Sequence, residues 1–167
     1  LQTFDERTIL RGETLSDACV NCHSFCGGKT GRMSIGLRSA GVGSGTLLWD
    51  GRSVTALDAK WGYNAWHPGG ELVAITLMQV RQFMHPSGSE IRDVVDLDSD
   101  LVIHHLSGPK VDTTRAIADP DRLETYPAWS PDGRALYYCS AAFPFEDRHQ
   151  TPPDNYEQVH YALSLIH

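Results

Sequence analysis

One turn motif occurs twice in this chain and limits it to a β-rich fold. Ala65-Trp66-His67-Pro68-Gly69-Gly70-Glu71-Leu72 returns as Ala128-Trp129-Ser130-Pro131-Asp132-Gly133-Arg134-Ala135-Leu136, with one residue of slippage at the leucine. The two tryptophans lie 63 positions apart. Each copy has the same physical reading. Trp ends a strand, Pro presets φ at the first turn position, and Gly takes the conformation that closes the turn. An apolar run then forms the return strand.

Short strand candidates surround these turns. Thr46–Trp49 and Arg52–Leu57 flank Asp50-Gly51, a dipeptide suited to a tight hairpin. Glu71–Met78 is apolar and rich in β-formers. Arg92–Leu97 and Leu101–Leu106 read as a pair joined through a turn at Asp98-Ser99-Asp100, and Ala135–Cys139 and Tyr161–Ile166 follow. No segment sustains a helical period, so the expected fold is mainly β, with a helical turn or two near the cysteines. Counting from about Asn64 to Leu106 gives four strands, close to the roughly 40–45 residues of one propeller blade. The hairpin at 46–57 reads as the outer half of a preceding blade.

Tyr126-Pro127-Ala128-Trp129-Ser130-Pro131-Asp132-Gly133-Arg134 resembles the turn of the TolB-like β-propeller family, while His67 and Gly69 depart from it in the first copy. The resemblance covers about residues 46–167 and implies part of a propeller of four-stranded antiparallel blades. A closed ring needs about four blades or more, so the chain reads as a fragment of a longer protein. Residues 1–45 would form a small, irregular haem-binding segment, because 27–45 holds seven glycines and reads as a loop.

Cys19-Val20-Asn21-Cys22-His23 matches Cys-x-x-Cys-His, the haem-attachment motif of c-type cytochromes. On a helical turn, residues three and four apart share a face. Two thiols there add to the haem vinyl groups while the imidazole binds iron, so one covalent haem c is expected on Cys19, Cys22 and His23. Three other readings compete. Cys19, Cys22, His23 and Cys26 are four zinc donors, although an eight-residue knot surrounds a tetrahedron poorly. A redox Cys-x-x-Cys would want a thioredoxin-like βαβ setting, and an iron–sulfur cluster would need Cys139 as well. If haem takes two thiols, Cys26 and Cys139 remain as a candidate disulfide, since haem is attached outside the bacterial cytoplasm, where disulfides persist. A further group of bacterial proteins, with a Cys-Val-Asn-Cys-His-Ser-Phe segment before TolB-like blades, looks like this combination.

The sixth iron ligand would decide between electron transfer and an open, reactive site. Met33, ten residues past His23, is the first candidate; His85 is the second and Met84 the third, both in the stretch Gln82–Gly88. Met78 falls on an apolar strand, and His67 takes a turn position. His104 and His105 point to opposite faces of one strand. Acidic residues at 93, 96, 98 and 100 lack the glycine and bidentate Glu of a calcium loop and read as a solvated turn. No nucleophile elbow or phosphate-cradling loop occurs.

A formal net charge of −7 with no basic block argues against nucleic acid, and no run approaches the roughly 18 apolar residues of a membrane helix. The expected function, from the haem motif, is an extracytoplasmic, periplasmic electron-transfer module that binds redox partner proteins or a multi-subunit complex, an electron carrier or redox-complex subunit; an open distal site would instead make it a haem enzyme. The competing function is a non-redox propeller scaffold or binding subunit with a structural haem or zinc knot.

Overall fold

The computed structural model describes residues 4–39, 43–57, 61–84, 92–108, 110–147 and 155–167. The fold is mainly β, with eleven strands among these residues arranged in three antiparallel sheets and only short 3-10 turns beside them. No sheet closes into a barrel, and no closed propeller forms, among the described residues. The chain divides into two units, residues 1–60 and 61–167. The boundary expected between 45 and 46 instead cuts a strand. Gly43–Trp49 pairs along its whole length with Met33–Ser39, which holds it in the first unit.

The first unit is a four-stranded meander: β1 (Cys19–Phe25), β2 (Met33–Ser39), β3 (Gly43–Trp49) and β4 (Val54–Leu57), in that order. The glycine-rich stretch expected as a loop therefore contributes β2 and the start of β3. Met33, Ile35 and Leu37 alternate with Ser34, Gly36 and Arg38, and that period of two prevails over the glycine cost because one face is buried. Met33, Ile35 and Leu47 form the core of this unit, covered by Leu10, Leu15, Val20, Leu37 and Trp49. Burying each of the three is worth about 1.5–3 kcal/mol. The Asp50 hairpin forms, with a loop of Asp50 to Ser53. The Asp50 carboxylate accepts hydrogen bonds from the backbone N–H of Arg52 (2.9 Å) and Ser53 (2.8 Å), which hold it below the ordinary carboxylate range.

The second unit carries the repeat. β5 (Asn64–Trp66), β6 (Leu72–Met84), β7 (Arg92–His105) and β8 (Val111–Asp112) make a second four-stranded meander. β9 (Arg122–Trp129), β10 (Leu136–Ala142) and β11 (Ala162–Ile166) make a three-stranded sheet in the order β11-β10-β9. Both motif turns form as their residues dictate. β5 and β9 end on Trp66 and Trp129, and Gly70 and Gly133 close the turns by donating to the carbonyls of His67 (2.8 Å) and Ser130 (2.9 Å). Both glycines sit in the left-handed region, at φ +79° and +73°.

The turn expected at Asp98-Ser99-Asp100 does not exist. β7 runs unbroken from Arg92 to His105, and these residues pair with Gln79, Met78 and Leu77 of β6. Val95, Leu97, Ser99 and Leu101 are all buried, so continuous packing overrides the turn propensity of three polar residues. Gln82 to Met84, expected to interrupt the strand pattern, are the last residues of β6.

Candidate functional site

The cysteine motif lies on β1, an edge strand, not on a helical turn. Cys19 pairs with Arg38, Asn21 with Gly36, His23 with Ile35 and Phe25 with Met33. Directly opposed residues share a face of the sheet. His23 therefore lies on the face of Ile35 and Met33, and Cys19 lies on the other. Cys22 is the extra residue of a β-bulge between Asn21 and His23, with φ at +46°. Bulges bend a strand and re-aim side chains. Cys19, Cys22 and His23 are all exposed, and the His23 ring stands edge-on to Phe25 at 5.8 Å.

The donor set is that of haem c, two accessible thiols and an imidazole, but the strand conformation does not suit the group. Haem attachment needs both thiols and the imidazole on one side, and β1 as paired separates Cys19 from His23. No group of three or more His, Cys, Asp or Glu residues is disposed to hold a metal among the described residues.

The remaining candidates are placed as follows. Met33, expected in a loop, opens β2 and is buried at 5% exposure in the first unit's core. It shares the face of His23, yet its thioether packs among Ile35 and Leu47. Met84 ends β6 and is 69% exposed. His85 lies outside the described residues. The four cysteines are thiols, none in a disulfide; Cys26 is buried in the first unit and Cys139 half-buried in the second. Cys26 and Cys139, the candidate disulfide pair, thus belong to different units.

A second constellation in the Trp61–His167 unit went unrecognised in the sequence. A cleft of about 420 Å³ is lined by Tyr63, Tyr126, Tyr156, Tyr161, Asp93 and Asp96, with valines between them. The Tyr63 and Tyr126 rings stack at 4.2 Å, and the Tyr126 hydroxyl donates to that of Tyr63 at 3.3 Å. This pairing helps push the Tyr126 phenol up to about 12, with burial adding to it. Tyr126 has φ +53° and lies where the β9–β10 register is irregular. Such a backbone costs about 1–3 kcal/mol and persists where its surroundings hold it.

Tyr156 donates to Asp93 (3.3 Å) and Tyr161 to Asp96 (3.4 Å). Burial raises the Asp96 carboxyl above its ordinary range, and the Tyr161 hydrogen bond offsets part of this. The Asp96 Oδ1 atom is buried with no hydrogen-bond partner among the described residues. The sequence does hold a trace of this site: Tyr63 and Tyr126 stand 63 positions apart, at matching places in the two repeats.

The chain matches no known protein family, curated protein or solved structure. No helix among the described residues is long and apolar enough to cross a membrane.

Proposed function

We propose that this chain is an extracytoplasmic c-type cytochrome module, with one covalent haem on Cys19, Cys22 and His23 and TolB-like blades that dock neighbouring redox proteins or subunits. The observation that carries the reading is the Cys-x-x-Cys-His set itself, with all three groups exposed on an edge strand. A haem there supplies a one-electron iron centre. Because an edge strand is paired on one side only, residues 19–23 can leave β2 without opening the rest of the sheet. The loaded form requires that departure. Met33, His85 and Met84 are the distal ligands to test.

The propeller half of the proposal rests on how the two repeats meet. Their first strands, β5 and β9, run side by side in different sheets. Equivalent tyrosines stack across them. His67 of one turn donates its Nε2–H to the Gly133 carbonyl oxygen of the other at 3.2 Å, while its Nδ1 accepts from the Gly69 N–H. A four-stranded and a three-stranded meander contacting through their first strands are what one blade and part of the next around an axis would give.

The test is a pyridine haemochrome spectrum of protein made with periplasmic export and haem attachment. A c-type spectrum that survives acid–acetone extraction, and is lost in Cys19→Ala/Cys22→Ala, is expected. Protein without haem overturns the reading. Because β1 as paired separates Cys19 from His23, the second reading is a non-redox scaffold or binding subunit of a larger complex, and folded, haem-free protein from the same preparation would select it.

A further inference from the structure

We infer that the tyrosine-lined cleft of the Trp61–His167 unit is a binding site for an alkylammonium group, a function separate from the haem reading. Three observations converge on that chemistry. The cleft is about 420 Å³, within the range of small-molecule sites. Among the described residues its polar lining consists of phenols and two carboxylates, with no Lys or Arg. Ring faces carry negative quadrupole density and attract cations that sit over them, and Tyr63, Tyr126 and Tyr161 keep 40–50% of their surface exposed.

The Asp96 Oδ1 atom supplies the orientation. A buried carboxylate oxygen without a donor is costly, and here the other oxygen already accepts from Tyr161. An ammonium N–H placed against the tyrosine faces completes the set and brings the missing positive charge. An anion would meet Asp93 and Asp96, and a neutral apolar group would leave Oδ1 unpaired. The bulge that turns Tyr126 beside Tyr63, at the backbone cost noted above, gives the cleft its paired aromatic wall.

The experiment compares n-butylammonium with 1-butanol, its neutral counterpart, on the full chain at neutral pH, by following the tyrosine ring resonances in NMR titrations. Saturable binding of n-butylammonium at least ten-fold tighter than 1-butanol is expected, with the preference lost in Asp96→Asn. Equal affinity for the two, or no saturation by n-butylammonium, overturns the inference. Should Asp96→Asn fail to fold, the comparison on the parent chain decides alone.

Discussion

At the scale of single residues, the structure turns on positions where one side chain or its absence decides the local outcome. Gly133 is one. Its φ of +73° disfavours any Cβ, and a Cβ built there runs into the His67 ring. Gly133→Ala should therefore cost about 1–3 kcal/mol, whereas Gly45→Ala, with open space around it, should change little. Urea denaturation of both variants checks this, and equal midpoints would refute it. Glu124 is another. It is 1% exposed, and burial pushes its carboxyl from the ordinary 4.5 up to about 7. The folded chain then keeps a proton that the unfolded chain releases, so this group's contribution is full below about pH 4.5 and is lost as pH rises through about 7. Glu124→Gln should gain on the parent in urea midpoint between pH 5 and pH 8. A constant difference across that range would contradict the assignment.

At the scale of elements, strand pairing overrode local propensity in both units. β7 is the clearest case, since Asp98-Ser99-Asp100 has turn chemistry yet lies inside a fourteen-residue strand. Ser99 is fully buried opposite Met78. A proline there removes an N–H and a packed side chain from the middle of a sheet, so Ser99→Pro should abolish the near-ultraviolet circular dichroism of the second unit. A turn would tolerate that substitution, and a native spectrum would restore the turn reading. The two motif turns were legible because Pro and Gly dictate backbone angles by themselves. The strand at Cys19–Phe25 was not, because a Cys-x-x-Cys-His spacing carries no period that separates a helical turn from an edge strand with a bulge.

At the scale of the molecule, the edges of the sheets set how the chain meets others. β11 borders its sheet, and Leu163 on it is 74% exposed with Leu165 at 46%. Exposed apolar edge strands recruit further strands. Sedimentation velocity should show self-association that grows with concentration, and Leu163→Lys should reduce it. A parent chain that stays monomeric throughout would exclude β11 as a pairing edge.

What the sequence determined by itself is the β class, the two Trp-Pro-Gly turns and the cysteine motif, because each rests on angles, alternation or spacing within a few residues. Only the tertiary structure decided the rest. It placed the unit boundary after Lys60 instead of after Gly45, made β7 one strand, and set Cys19 and His23 on opposite faces of a sheet. It also gathered four tyrosines and two aspartates, drawn from Tyr63 to Tyr161, around one cleft. These outcomes depend on which strand pairs with which and on what a shared face buries, and those are contacts between residues far apart in the chain.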